Sequence, residues 1–347
     1  MKLLVVKRDK IGDLLLTTPL FSHLKGSLPG VQLHLLANDY NAWVVAGNPD
    51  IDRVWVYRRV RSGGRVSVAA AWEWVWQWLA LRRERYDWVI VANGDESPRA
   101  IRRALSVRGA NTVAYCADAK RYSGLSHALV PDRAGHEIDR LLAMAAPLGV
   151  ASPRTPILPR YVLPEDAAAF ARAWLAERGL AAGRYVVLGL GARRAKKQPA
   201  TSQVLAWSAW WKERFGLDTV FMWTPGRSQD PLYPGDDDVA QPVLDARAPQ
   251  IHPHRGPIRE ALGLIWSART SVFPDSGLMQ FAAASPGGVL GLFAEADVSP
   301  APAQWAPRGP RAEWLEARKS VSEISDEMIK RKMKRLLEAP RAPQAGS

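Results

Sequence analysis

The sequence predicts a two-domain α/β protein in which each domain contains a mainly parallel sheet. Short apolar runs alternate with longer segments of helical spacing in the first part of the chain, at residues 3–6, 31–36, 54–57, 88–91 and 112–115. The same alternation resumes later, with predicted strands at residues 185–189, 219–223, 271–273 and 289–293. Between the two series, residues 147–164 carry five prolines, which interrupt every periodic pattern and predict a domain boundary.

The bulk composition is that of a globular protein. Apolar residues make up 47% and charged residues 23% of the 347 residues, a length that exceeds one ordinary core. No apolar run approaches the ~20 residues of a membrane span, and the first apolar run is followed at once by Lys7 and Arg8, which favours a strand over a signal peptide. A single cysteine, Cys116, excludes an internal disulfide and a cysteine-built metal site. We therefore expect a cytoplasmic protein.

The net charge of +13 predicts an anionic partner, which could be nucleic acid, a phosphate-bearing substrate or an anionic membrane face. No zinc-finger, RNP or helix-turn-helix signature accompanies the charge, which argues against nucleic acid. The six histidines form no metal-ligand pattern, and the GxSxG elbow of serine hydrolases is absent. We expect neither a metal nor a nucleic-acid partner.

Three further segments carry structural expectations. Residues 69–85 form a predicted helix with four tryptophans and a narrow polar stripe. We interpret it as a largely buried helix covering the sheet, or alternatively as a membrane-facing surface helix. Residues 325–337 predict a final helix with Ser325 as its N-cap, followed by a loose tail from Pro340 to the end. Asp236, Asp237 and Asp238 lack calcium-loop spacing and predict a solvated loop.

The first candidate site is the stretch from Lys7 to Pro19, with the sequence KRDKIGDLLLTTP. It predicts a strand, a basic turn and a helix, which places Asp13 at the carboxyl end of a strand, where open α/β sheets bind ligands. From these residues alone Asp13 is equally a catalytic carboxylate or a helix cap.

Two later stretches predict anion sites. Residues 189–199, GLGARRAKKQP, place glycines and four basic residues directly after a predicted strand. Such a loop could bind a diphosphate, or it could be a solvated basic loop without a ligand. The glycine spacings of Walker A loops and of dinucleotide-binding loops are absent. Asp275, Ser276 and Gly277 follow the next predicted strand and lead into an alanine-rich helix, whose first amides could bind an anion. For Asp275, capping of that helix is favoured over a contact with substrate.

In combination, these motifs make the chain resemble glycosyltransferase family 9, the ADP-heptose:lipopolysaccharide heptosyltransferases. The resemblance runs from end to end of the chain. It is carried by Gly12, Asp13, Thr17, Thr18 and Pro19, by residues 48–54, 85–90 and 136–140, by Lys196 in the loop 191–199, and by residues 275–277 with 282–284.

The resemblance implies a GT-B fold, with two Rossmann-like domains whose parallel sheets face an interdomain cleft. Residues 1–160 would bind the acceptor, residues 161–325 the nucleotide sugar, and residues 326–347 would form a basic helix and loose tail. The implied activity is inverting, metal-independent transfer of a sugar, heptose in the family, from ADP-heptose to an acidic lipopolysaccharide-type acceptor. No cofactor is implied, and the protein would work peripherally at the inner face of the inner membrane.

The resemblance also assigns residues. Asp13 would be the general base and Lys196 would neutralise charge on the leaving diphosphate. The donor would be held by Gly191, Ala192, Lys196, Asp275, Ser276, Gly277 and Gln280. The acidic acceptor would meet Lys7, Lys10, Arg58, Arg61, Lys120 and Arg121.

The chain departs from the family pattern at four places. Gln280 replaces a histidine, Gln198 replaces a tryptophan, and residues 294–296, Ala-Glu-Ala, replace G-x-T. The acidic residue that holds the donor's ribose in the family has no clear match among residues 227–230. Two alternatives follow: a donor sugar other than heptose, and a GT-B-shaped binding or accessory protein without turnover.

Overall fold

The computed structural model describes residues 1–58, 61–62, 65–66, 68–132, 134–191, 195–230, 235–295, 297–298 and 301–342. The chain forms two compact units, Met1–Val162 and Leu163–Ser347. The division lies in the proline-rich stretch that predicts it.

The first unit is a six-stranded parallel sheet in the order β3-β2-β1-β6-β7-β8, with a separate two-stranded antiparallel hairpin, β4-β5. Its strands are β1 (Lys2–Val6), β2 (Gln32–Asn38), β3 (Arg53–Tyr57), β4 (Arg61–Ser62), β5 (Arg65–Val66), β6 (Trp88–Val91), β7 (Asn111–Tyr115) and β8 (His127–Leu129). Its helices are α1 (Ile11–Leu15), α2 (Thr18–Ser27), α3 (Val68–Arg83), α4 (Pro98–Val107) and α5 (Glu137–Ala143).

The second unit repeats the plan, with a six-stranded parallel sheet in the order β11-β10-β9-β12-β13-β14. Its strands are β9 (Tyr185–Gly189), β10 (Asp218–Met222), β11 (Ile251–His254), β12 (Thr270–Pro274), β13 (Val289–Ala294) and β14 (Ala312–Ala317). Its helices are α6 (Glu165–Glu177), α7 (Thr201–Phe215), α8 (Asp237–Asp245), α9 (Ile258–Ser267), α10 (Gly277–Ala284), α11 (Pro302–Trp305) and α12 (Asp326–Glu338).

Both sheets have a topological switch point, where the strand order reverses. It lies between β1 and β6 in the first unit and between β9 and β12 in the second. In open parallel sheets, ligands bind outside the carboxyl ends of the strands at such a point. We therefore expect the functional residues to lie in the loops that follow these four strands.

The final helix belongs to the second core instead of forming a separate segment. Ile329, Met333 and Leu336 on α12 pack among the buried side chains of that unit. Ser325 is its N-cap, as predicted, and its Oγ accepts a hydrogen bond from Met328 N at 3.4 Å. The predicted loose tail is wrong for its first residues, because Arg341 donates to Trp266 O at 2.6 Å and Ala342 N donates to Pro286 O at 3.0 Å; residues 343–347 lie outside the described residues.

Two other expectations are corrected. The tryptophan-rich helix α3 is not the largely buried helix that was expected, since Trp72 and Trp76 are 63% and 55% exposed. The three aspartates are not a solvated loop. They lie at the start of α8, where Asp236 is buried and Asp237 accepts hydrogen bonds from Gly226 N at 3.0 Å and Trp223 Nε1 at 2.8 Å.

Gly189, the last residue of β9, is required by packing. A Cβ there would lie 2.1 Å from Cε1 of Phe273 on β12, a contact too short for side chains to hold. Because overpacking of this kind costs about 1–3 kcal/mol, we expect Gly189→Ala to lower the free energy of unfolding by that amount in urea denaturation.

The matched control is Gly191→Ala, since a Cβ at Gly191 meets no atom within 4 Å. We expect its free energy of unfolding to stay within about 0.5 kcal/mol of the parent. Equal effects at the two glycines would contradict the packing described for β9 and β12.

Candidate functional site

The first candidate site is the loop after β1 and the short helix α1 that carries Asp13. Asp13 is half-buried, and its Oδ2 accepts a hydrogen bond from Lys10 N at 2.9 Å. Lys10, and not Asp13, is the N-cap of α1; Asp13 is the third helical residue and caps the helix only through this bond back to the N-cap amide. The bond occupies one carboxylate oxygen and leaves Oδ1 without a hydrogen-bond partner among the described residues. Capping and proton transfer are therefore compatible at this position.

The loop itself is held by asparagines from neighbouring strand ends. Asn38 Nδ2 donates to Arg8 O at 2.7 Å, Asn41 Nδ2 donates to Asp9 O at 3.0 Å, and Asn93 Nδ2 donates to Asp9 Oδ2 at 2.5 Å. These bonds fix the backbone that positions Asp13.

Lys7 lies beneath this loop, with only 1% of its surface exposed. Its Nζ donates to Ala92 O at 2.7 Å and lies 3.2 Å from Asp9 Oδ2. Sequence reasoning assigned Lys7 to the acceptor, but the structure places its ammonium inside the unit, against carboxylates.

Glu137 supplies the second carboxylate beside Lys7. Its Oε1 lies 4.0 Å from Lys7 Nζ and accepts from Gly94 N at 3.2 Å. A side chain at position 94 would displace the Glu137 carboxylate, because a Cβ at Gly94 would lie 2.2 Å from Glu137 Oε2. The buried guanidinium of Arg140 lies 3.5 Å from Glu137, and its Nε and Nη2 have no hydrogen-bond partner among the described residues. The resemblance covered this segment without assigning its side chains a role, so sequence reasoning missed them.

The charges of this cluster set the protonation of Asp13. Burial raises the pKa of the Asp13 carboxyl and the nearby Asp9 charge adds to the rise, whereas the Lys7 ammonium opposes it. Burial acts to lower the pKa of Lys7, but Asp9, Asp13 and Glu137 outweigh it and raise that pKa. Lys7 therefore stays charged, and Asp13 is a carboxylate whose proton affinity is increased, which suits a general base.

Because the Lys7 ammonium lowers the pKa of Asp13, its removal should raise that pKa further. We expect Lys7→Gln to move the acid limb of the profile of kcat/KM against pH to higher pH, since a larger fraction of Asp13 is then protonated. Lys10→Gln is the matched control: Lys10 is exposed and its charge acts on Asp13 more weakly, so a smaller shift is expected. A Lys7→Gln profile that overlies the wild type would contradict the coupling.

The other cations assigned to the acceptor are at the surface. Lys10 and Lys120 are exposed; Arg58, 69% exposed, lies 3.6 Å from Glu73, and Arg121, 61% exposed, lies 3.5 Å from Glu96. Each follows a strand of the first sheet, as Asp13 does, so all belong to the carboxyl edge of that sheet. Arg61 lies in β4, and its side chain is outside the described residues.

The second candidate site is formed by loops at the switch point of the second sheet. Lys196 lies in a single 3-10 turn, Ala195–Lys197, after β9, and its Nζ donates to the carboxylate of Glu295, the residue after β13. Glu295 has φ of 52°, a left-handed conformation that is costly for a residue with a side chain and is found disproportionately at functional sites. Glu295 belongs to the segment 294–296 that departs from the family's G-x-T, and the ion pair with Lys196 balances its negative charge.

A second ion pair lies beside the first. Lys197 Nζ donates to Asp275 Oδ2, and both side chains are largely buried. Asp275 therefore does not cap the following helix, contrary to expectation. Ser276 caps α10 instead, its Oγ accepting from Met279 N at 3.4 Å. The first amides of α10 have no intrahelical acceptor and remain suited to an anion.

The remaining residues that the sequence assigned to the sugar donor are Gly191, Gln280 and Ala192. Gly191 has open space where a Cβ would be, which fits a close approach by a ligand. Gln280 is 5% exposed, and its Nε2 donates to Trp305 O at 2.9 Å, so in this structure it supports α11. Ala192 lies outside the described residues.

Sequence reasoning missed a polar network next to the Lys196 loop. Gln198 Nε2 donates to Asp236 Oδ1 at 2.6 Å, and burial raises the pKa of the Asp236 carboxyl. Arg255 donates two hydrogen bonds to the neighbouring Asp237, from Nε to Oδ1 at 2.8 Å and from Nη2 to Oδ2 at 3.0 Å. These bonds lower the pKa of the Asp237 carboxyl. The run of three acidic residues was the available signal, and its position before a helical segment could have indicated N-terminal capping.

Within the described part of the chain, no group of three or more histidine, cysteine, aspartate or glutamate side chains is placed to hold a metal ion.

Comparison with known proteins places the fold. A glycosyl transferase family 9 protein from Veillonella parvula has a similar structure, with a TM-score of 0.79 at 18% identity over 97% of both chains. The E. coli heptosyltransferase WaaC with ADP gives 0.74 at 18% identity over 97% of this chain and 100% of its own, and E. coli ADP-heptose lps heptosyltransferase II gives 0.72 at 18% over 97% and 98%. No family model and no curated protein sequence matches the chain. The predicted GT-B fold class, with two Rossmann-like units, is confirmed.

Proposed function

We propose that this chain is an inverting glycosyltransferase, which moves a sugar from a nucleoside diphosphate to a hydroxyl of an acidic glycan. The observation that carries the proposal is the Asp13 carboxylate. It lies at the switch point of the first sheet, has one oxygen free of hydrogen bonds within the described residues, and has a raised pKa. The fold is shared with enzymes named as heptosyltransferases, which supports the same class of reaction.

In the proposed reaction, Asp13 removes the proton from the acceptor hydroxyl as its oxygen attacks the anomeric carbon. The bond from that carbon to the diphosphate oxygen breaks, and the nucleoside diphosphate leaves with the bonding electrons. A single displacement of this kind inverts the anomeric configuration. The proton remains on Asp13 until it passes to solvent.

The second unit would bind the leaving diphosphate. Lys196 and the amides of Ser276 and Gly277 provide positive charge and hydrogen-bond donors where negative charge grows. The Lys196–Glu295 ion pair implies that the diphosphate competes with the Glu295 carboxylate for the ammonium. Donor binding would therefore release Glu295, which could then accept a hydrogen bond from a sugar hydroxyl.

The acceptor is inferred from charge. Lys10, Arg58, Lys120 and Arg121 are exposed at the same edge of the sheet as Asp13, and the net charge is +13. These cations suit a phosphorylated or carboxylated glycan such as a lipopolysaccharide core, made on the cytoplasmic face of the inner membrane. Two similar structures are named for ADP or ADP-heptose, which supports an ADP-sugar, with heptose first to be tested.

The alternative is a binding or accessory protein of the same fold without turnover. The observations that favour it are the two ion pairs on the loops assigned to the donor and the buried Gln280.

A panel of ADP- and UDP-sugars, supplied with and without a phosphorylated lipopolysaccharide core acceptor, separates the two. We expect acceptor-dependent release of nucleoside diphosphate with one donor, matched by a product mass increased by one sugar residue. Binding of a donor by calorimetry, with no release in the whole panel, would favour the accessory role.

A further inference from the structure

Helix α3 presents an outward apolar stripe, defined here as Trp72, Val75, Trp76 and Leu79, with Arg83 at its end. At 3.6 residues per turn these positions lie on one face. Trp72 is 63%, Val75 38% and Trp76 55% exposed, and Arg83 is exposed as well. The rings of Trp72 and Trp76 pack edge to face, with centroids 6.0 Å apart.

The opposite face of α3 already holds the helix on its unit. Leu81 is buried there, Trp78 Nε1 donates to Ser106 O at 3.0 Å, and Gln77 Nε2 donates to Val56 O at 2.7 Å. The helix therefore does not need the outward stripe to dock. An apolar patch left facing water on a well-docked helix is typical of an interaction surface.

The chemistry of the stripe and its borders favours an anionic lipid surface. Tryptophan is enriched where apolar and polar layers of a membrane meet. Glu73, the one acidic side chain of α3, is paired with Arg58 at 3.6 Å, and Arg83 adds a cation at the end of the stripe. A second copy of this chain is disfavoured as the occupant, because two chains of charge +13 repel each other.

We propose that the outward stripe of α3 docks this chain on an anionic membrane surface, with Trp72 and Trp76 in the headgroup layer and Arg83 on lipid phosphates. The contact is peripheral, since no helix of the described residues is long and apolar enough to cross a membrane. The docking itself does not depend on the proposed function. Only its biological purpose does, which would be to bring the protein to a lipid-anchored acceptor.

The test is co-sedimentation of the full chain with phosphatidylcholine vesicles, with and without phosphatidylglycerol, in the absence of donor and acceptor. We expect binding to the anionic vesicles that weakens with salt. The double variant Trp72→Ser/Trp76→Ser should bind the vesicles at least about tenfold more weakly than the wild type. Arg83→Gln should bind the anionic vesicles about fivefold more weakly. Trp314→Ser is the matched control, because Trp314 is also 43% exposed but lies on β14.

Retention of the circular dichroism spectrum and thermal midpoint by each variant excludes unfolding as the cause. Absence of wild-type binding to anionic vesicles, or equal losses in the control and the double variant, would overturn the proposal. Wild-type self-association in sedimentation velocity that the double variant abolishes would also overturn it, since the stripe would then join two copies. Because no sugar is transferred in the assay, vesicle binding and glycosyl transfer can fail independently.

Discussion

Asp13→Asn is expected to lower kcat by about 10²–10⁴-fold, the contribution typical of a general base. The amide keeps the shape of the carboxylate, and its oxygen can still accept the hydrogen bond from Lys10 N. It cannot take the proton of the acceptor hydroxyl. Initial rates of nucleoside diphosphate release with saturating acceptor would measure the loss, and calorimetry should give a donor affinity close to that of the wild type.

Asp9→Asn is the matched control for this result. Asp9 belongs to the same cluster, but its carboxylate already binds Lys7 and Asn93. Its charge raises the pKa of Asp13, so its removal should lower that pKa and move the acid limb to lower pH. We expect a change in kcat below about tenfold at neutral pH. Turnover by Asp13→Asn at the wild-type rate would remove Asp13 from the mechanism.

Lys196→Ala is expected to lower kcat by about 10²–10³-fold, the loss typical when one group that stabilises developing negative charge is removed. Lys196 is partly exposed and paired with Glu295, so its removal breaks no buried contact, and the thermal midpoint should change little. Kinetics with the donor identified by the panel would measure the effect. Wild-type kinetics would contradict the diphosphate assignment.

Glu295→Gln tests the competition between carboxylate and diphosphate. Neutralising the carboxylate frees the Lys196 ammonium, so we expect the nucleoside diphosphate to bind several-fold more tightly. In the Lys196→Ala background the same substitution should have no effect, because the two residues act as a pair. Tighter binding in both backgrounds would show that Glu295 repels the ligand directly and not through Lys196.

The sequence predicts the interior of both sheets better than their edges. All predicted strands are found, and most of them are buried runs such as β1 and β9. The exception is the edge strand β3, in which only Trp55 and Tyr57 are buried. Within the two six-stranded sheets, the three strands missed by periodicity, β8, β11 and β14, are edge strands. The two short strands β4 and β5 were missed as well. An edge strand has one unpaired side and tolerates polar residues and proline, as Pro253 in β11 shows, so it has no continuous apolar signal.

In the candidate site, too, some features could be predicted from the sequence and others could not. Asp13, Lys196 and the Asp275–Gly277 turn could be found from sequence, because each follows a strand and local order places it at the carboxyl edge. The pairing of Lys196 with Glu295 joins residues separated by 99 positions. The charge of the buried Lys7 is stabilised by Asp9 and Asp13 of its own stretch and also by Glu137, which comes from the distant helix α5. Such distances and pKa shifts arise from the packed fold, so no local pattern reports them.

The central claim, single displacement with Asp13 as base, is tested most directly by the anomeric configuration of the transferred sugar. Proton NMR of the first product formed by the wild-type enzyme, compared with the donor, reads it out. The mechanism predicts inversion, together with loss of product formation in Asp13→Asn. Retention of configuration would contradict it, because that outcome requires a nucleophile on the enzyme or attack from the face of the leaving group.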